Sequence, residues 1–107
     1  MSETNGLGYG EIYDITLKRE ESSHKVKLGR SLIAGATFLS KGRGVRYTLL
    51  TRPIEKNTVR STPNILCYNF SDYVHDERGL FVRNASMKKL SDLERNLADK
   101  TLTKHGL

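Results

Sequence analysis

A chain of 107 residues is the length of one domain, and an apolar share of 36% allows a core of only modest size. Eighteen Lys and Arg against twelve Asp and Glu give a net charge of +6, which suits nucleic acid, an anionic membrane surface or an acidic protein as partner. No apolar stretch approaches the roughly 20 residues of a membrane span, the first residues lack the basic and apolar regions of a secretory signal, and the single Cys67 excludes an internal disulfide. A cytoplasmic protein without membrane contact is the expectation, with residues 1–8 as a flexible tail and 9–107 as a single domain.

Tyr9–Lys18 reads as a strand, because Tyr13, Ile15 and Leu17 alternate with Asp14, Thr16 and Lys18. Arg19–His24 is polar and reads as a loop. Lys25–Leu28 is a short strand with Val26 and Leu28 on one face. Ser31–Ser40 fits a helical face (Leu32, Ile33, Ala36, Leu39) or a buried strand; its short length and the flanking Gly29 and Gly42 favour a strand. Lys41-Gly-Arg-Gly44 reads as a hairpin loop. Val45–Arg52 follows as a strand, with Val45, Tyr47 and Leu49 facing one way and Arg46, Thr48 and Arg52 the other.

Pro53 ends that strand, and Glu55–Asn64 is a polar loop. Ile65–Phe70 is a strand with Leu66, Tyr68 and Phe70 inward. Asp76-Glu-Arg-Gly79 is a turn, and Leu80–Arg83 a last short strand. A helix then starts from Ser86 as N-cap. Met87, Leu90, Leu93 and Leu97 form its apolar stripe, Lys88–Asp92 and Arg95–Asp99 its wet-face ion pairs, and its end frays before Gly106. The fold expected is α+β and mostly β: a small curved antiparallel sheet or partly closed barrel of five to six strands with a C-terminal helix. The stripe should cover the face of Tyr13, Ile15, Leu17, Val45, Tyr47 and Leu49.

Charge is distributed unevenly along this outline. Residues 25–60 hold nine bases against one acid, Glu55, a net charge of +8, while the first 24 residues carry −3. Lys25, Lys27, Lys41, Arg43, Arg46, Arg52, Lys56 and Arg60 are therefore the candidate nucleic-acid contacts. Arginine donors match phosphate oxygens, and the glycines of the 41–44 loop let a backbone come close. RNA is the favoured partner. Tyr47 and Tyr68 could stack on bases only if they faced outward, and the alternation turns both inward. His24, His75 and His105 are scattered without metal-ligand spacing, so no metal and no cofactor is expected. A metal-independent nuclease needs only a base, an acid and cations at the phosphate, for which His24, Arg30 and Thr51 are the candidates.

The layout resembles the toxin family of MazF, PemK and Kid. Gly10-Glu11-Ile12-Tyr13 reads like that family's first strand, His24 lies in the loop that follows, Arg30 opens the second strand and Thr51 closes the third. Pro63 precedes the next strand, and the last strand leads into a helix. Ser31 stands where the family usually has proline, and Asn84-Ala-Ser-Met87 where it has an acidic-Gln-x-Arg run. The resemblance implies an SH3-like barrel, a homodimer and cleavage of single-stranded RNA through the ribose 2′-hydroxyl. Arg30 would then steady the phosphate, Thr51 line the site and His24 handle a proton. A different class of function is a non-enzymatic viral or phage assembly or inhibitor protein that docks its basic face on an acidic protein.

Overall fold

The computed structural model describes residues 6–18, 25–40, 42–52 and 65–107. The expected loops at 19–24 and 55–64, and with them His24, Lys41, Lys56 and Arg60, lie outside the described residues. Seven strands and one helix follow in order: β1 (Ile12–Lys18), β2 (Lys25–Phe38), β3 (Val45–Thr51), β4 (Leu66–Phe70), β5 (Tyr73–Asp76), β6 (Gly79–Val82), β7 (Ala85–Lys89) and α1 (Asp92–Lys104). The fold is the expected mostly-β one with a C-terminal helix. The two short strands expected at 25–28 and 31–40 are one 14-residue strand, β2. Its pairing shifts register once opposite Ile15/Thr16 and once at Ile33/Gly35. Such bulges bend a strand and increase its twist, so one long strand can serve two differently oriented parts of the sheet.

The sheet order is β5-β6-β1-β2-β3-β4-β7, and hydrogen bonding does not close it into a barrel. It is nevertheless forced to curl. β4 and β5 stand five places apart in that order but are joined only by residues 71–72. At about 4.8 Å per strand a flat sheet would hold them roughly 24 Å apart, whereas the steps from Phe70 to Tyr73 reach at most about 11 Å. β6 and β7 are five places apart as well, and only residues 83–84 join them. The two crossings are tied to each other by the Arg83 N–H, which donates to the Asp72 carbonyl at 3.0 Å.

The concave side encloses Ile15, Leu28, Ile33, Tyr47, Leu49, Phe70, Leu80 and Val82. Aromatic contacts cross the seam: Tyr73 of β5 stands 5.8 Å from Tyr47 and 6.0 Å from Phe70, ring centre to ring centre. Residues 6–8, expected in the tail, join this core. Leu7 packs against it, the Leu7 N–H donates to the Tyr47 hydroxyl at 3.0 Å, and the Gly8 N–H to the Tyr13 hydroxyl at 3.3 Å.

The helix differs from expectation in its start, face and end. Ser86 is not its cap: residues 85–89 pair with β4 as β7. Ser91 caps the helix instead, its hydroxyl accepting from the Glu94 N–H while the Glu94 carboxylate accepts from the Ser91 N–H, a reciprocal capping box. The apolar stripe is not the buried face. Leu93 and Leu97 are 72% and 59% exposed, and Ala98 and Leu102 are buried. The helix therefore covers Leu32, Leu50, Ile65, Cys67 and Leu90 on the convex side, not the face of Tyr13, Ile15 and Leu17.

Nor does the helix fray. Leu107 N–H donates to the Leu102 carbonyl at 2.9 Å, and Gly106 N–H to the Thr103 carbonyl at 3.0 Å, the two bonds of a Schellman cap. Gly106 takes φ 79°, which a residue with a Cβ adopts only under strain. The ion pairs differ too: Lys88 meets Glu94, and Asp99 meets Arg52.

Two outcomes follow from this packing. Leu102→Ala should cost about 2–5 kcal/mol in denaturant melts, and Leu93→Ala less than about 0.5 kcal/mol; equal costs would contradict the observed helix face. Burial first, and then a hydrogen bond with Tyr47, pushes the Tyr73 phenol up to about 12. A group whose folded pKa is raised contributes fully below its unfolded value, so this contribution should be lost as pH rises from 10.0 to about 12. Melting temperatures across that window should fall less steeply in Tyr73→Phe than in the wild type.

Candidate nucleic-acid interface

The described bases of the basic segment do not meet on one surface. Register and alternation place Lys25, Lys27, Arg30 and Arg46 on the convex side, but the curl and the helix separate them. Lys27 and Thr37, the residue opposite Arg46, are ten residues apart on β2, up to roughly 33 Å along a straight strand. Three groups result.

The first group spans β2, β1 and β6. Lys18 is the direct register partner of Lys25, and Thr16 of both Lys27 and Phe81. Ile15, Leu80 and Val82 are buried on the concave side, so the residues between them, Thr16 and Phe81, face outward. The Lys25 ammonium stands 5.7 Å from the centre of the Phe81 ring and the Arg78 guanidinium 5.8 Å. Lys18, Lys25, Lys27 and Arg78 are all exposed, and Phe81 is half-buried. Among the described residues, Asp76 is an acid in contact with this group. It accepts from the Arg78 N–H at 2.8 Å and pairs with its guanidinium at 3.2 Å, and these bonds, the backbone one first, hold its carboxyl below the usual range. Like charges directly opposite on an antiparallel pair are destabilising, so Lys18 and Lys25 work against the fold they sit on.

The second group, Arg30 and Arg52, lies where the C-terminal end of the helix meets the sheet, with Leu28, Leu102, Gly106 and Leu107. Arg52 is committed to the helix. Its Nη2 pairs with Asp99 Oδ1 at 2.7 Å and donates to Thr103 Oγ1 at 3.2 Å, and its Nε donates to the Leu107 carbonyl at 3.3 Å. Arg30 is exposed and stands opposite Asp14. Thr51 has no exposure, and its hydroxyl donates to the Leu28 carbonyl at 3.5 Å. Arg30 and Thr51 are thus not presented to solvent together.

The third group is a groove at the other end of the sheet. The tight loop at Gly42 and Gly44, with φ of 71° and 99°, places Arg43 beside the start of β3. Arg43 and Arg46, with Leu39, Ser40 and Ser71, line a hollow of about 310 Å³. A second hollow of about 290 Å³ shares Arg46 and Ser71 and continues to Asn69, Asn84 and Ser86. Among the described residues, neither lining includes a carboxylate.

Tyr47 is buried and Tyr68 half-buried against the concave core; the exposed aromatic rings among the described residues include Tyr9 and Phe38, and Phe81 is half-buried beside the lysines. Sequence reasoning missed Lys18, Arg78 and Phe81, because pairing across strands is what assembles them; it also missed Asn69, Asn84 and Ser86. Burial pushes the Cys67 thiol up, away from the reactive thiolate. Among the described residues no group of three or more His, Cys, Asp and Glu is placed to hold a metal ion, and no helix is long and apolar enough to cross a membrane. Comparison of the chain with protein-family models, curated proteins and solved structures finds no match.

The Lys18–Lys25 opposition has a measurable consequence. Lys18→Glu replaces a repulsive cross-strand pair with an attractive one, and should stabilise the protein by about 0.2–1 kcal/mol at low salt. The gain should shrink at high salt. Unchanged or lower stability in low-salt thermal melts would mean that the two ammonium groups do not repel each other as placed.

Proposed function

We propose that the chain binds single-stranded nucleic acid, RNA in particular, through the outer face of β2, β1 and β6. The observation that carries the reading is the Phe81 ring, with the Lys25 ammonium 5.7 Å and the Arg78 guanidinium 5.8 Å from its centre and Lys18 and Lys27 on the neighbouring strands. Single-strand binders combine cations along the phosphate backbone with an aromatic face on which an unpaired base stacks. Here both lie on one strand surface, and the retained repulsion between Lys18 and Lys25 is relieved when a polyanion neutralises it. An acidic protein would answer the charges as well, but it has less use for the aromatic ring, which favours nucleic acid. The Arg43–Arg46 groove adds donors at a second place, while Arg52, occupied by the helix, is left out of the contact.

Strand cleavage is not part of the proposal. Of the residues that the toxin resemblance implies, Thr51 is buried with its hydroxyl donating to the Leu28 carbonyl, and Arg30 sits at the helix end.

The test is fluorescence anisotropy with labelled single-stranded RNA, single-stranded DNA and duplex RNA across a salt series. Affinity for single strands should exceed that for the duplex and fall steeply with salt. Lys25→Glu with Lys27→Glu should abolish most of it, and Phe81→Leu should weaken it by about 1–3 kcal/mol, the worth of one stacked base. Unchanged affinity in the double variant would remove the proposal.

A further inference from the structure

Residues 6–8 sit on the concave side without strand pairing. What holds them is a small set of contacts of the kind a bound peptide makes. Leu7 packs its side chain against the core. The N–H groups of Leu7 and Gly8 donate to the hydroxyls of Tyr47 and Tyr13 at 3.0 and 3.3 Å. Those phenols belong to β3 and β1, and the curl adds Tyr73 and His75 of β5: Tyr73 lies 5.8 Å from Tyr47 and His75 5.3 Å from Tyr13, ring centre to ring centre. The result is an aromatic cleft whose hydroxyls accept from a peptide backbone.

The segment is fitted to that cleft by its glycines. A Cβ at Gly6 would stand 3.0 Å from the Tyr47 hydroxyl, and one at Gly8 would stand 2.5 Å from Glu11 Cγ. Glycine on both sides of Leu7 is what lets the backbone come this close. A turn at Tyr9 and Gly10 then leads into β1. The Glu11 N–H donates to the Gly8 carbonyl at 3.1 Å, and Gly10 takes φ 83°. Local contacts of this number open at a fraction of the free energy of global unfolding.

We infer that the cleft of Tyr13, Tyr47, Tyr73 and His75 is a binding site for a peptide segment of the form small–apolar–small, closed in cis by residues 6–8. The phenols recognise the backbone N–H groups of any such segment, the core takes its apolar side chain, and the close approach demands small neighbours. The site lies on the concave side, apart from the lysine face, and does not depend on the nucleic-acid reading.

The experiment adds a fluorescently labelled peptide of residues 1–10 to the full chain and follows its anisotropy. A strap tethered through a short turn meets its cleft at an effective concentration in the millimolar range, so peptide at micromolar concentration should not displace it from the wild type. Leu7→Asp expels the strap by burying a charge, and Gly6→Val lifts it by contact with the Tyr47 hydroxyl. Each variant should bind the peptide at least about tenfold tighter than the wild type does. A peptide that itself carries Leu7→Asp should bind none of them. Adding Tyr47→Phe to Gly6→Val removes one acceptor and should weaken peptide binding about two- to tenfold. Equal binding by wild type and variants would put the peptide elsewhere on the protein, and no binding by either folded variant would make residues 6–8 a fixed part of the core; both results overturn the inference. Should neither variant fold, amide exchange of the wild type decides. The Leu7 and Gly8 amides should exchange well before those of Ile15 and Leu49, and exchange of all four only on global unfolding would overturn it as well.

Discussion

Two dipeptide crossings govern this fold. Residues 71–72 and 83–84 each join strands that stand five places apart in the sheet, over a span they could not reach if the sheet were flat. Every other feature accommodates that closure. The two register shifts of β2 supply the bend, the Tyr47–Phe70–Tyr73 cluster fills the seam where the sheet's two ends meet, and the Arg83–Asp72 hydrogen bond ties the crossings together. Because the concave side is filled by the sheet's own side chains, the helix is left to cover the convex one.

The same curl divides the charge. A segment of +8 on an extended hairpin would present a continuous stripe; wound around a tight sheet, it becomes separate patches with different chemistry. On β2, β1 and β6, the Lys25 ammonium and the Arg78 guanidinium stand 5.7 and 5.8 Å from the centre of the Phe81 ring. At the helix end, Arg52 joins Asp99, Thr103 and Leu107 and serves the fold. At the Gly42–Gly44 loop, two guanidinium groups face a row of amides and hydroxyls. One charge excess thus serves the fold in one place and stands exposed in the others.

Much of the strand framework was legible from alternation. β1 and β3 follow the period-two pattern, and the inward residues Tyr13, Ile15, Leu17, Val45, Tyr47 and Leu49 all lie with the concave core. The helix was misread because Ser86 and Ser91 are both competent caps, and Met87-x-x-Leu90-x-x-Leu93 carries a helical spacing. What decided between them was the pairing of residues 85–89 with β4, a contact between segments that local pattern does not contain. The same holds for the buried helix face, where small Ala98 and Leu102 fit against the sheet and the more conspicuous Leu93 and Leu97 remain outside.

Residue types and their spacing alone determined that this chain is a small, mostly-β domain with a basic middle, an internal glycine-hinged hairpin and a helix at its end, because backbone periodicity and turn chemistry are local properties. Only the tertiary structure decided which cations act together. Lys18 meets Lys25 across two consecutive strands, and Phe81 joins Lys25 because β6, distant in sequence, pairs with β1. Arg52 is withdrawn because the helix returns to it. Proximity in space sets a charge's energy and its use, and a curled sheet makes that proximity almost independent of order along the chain.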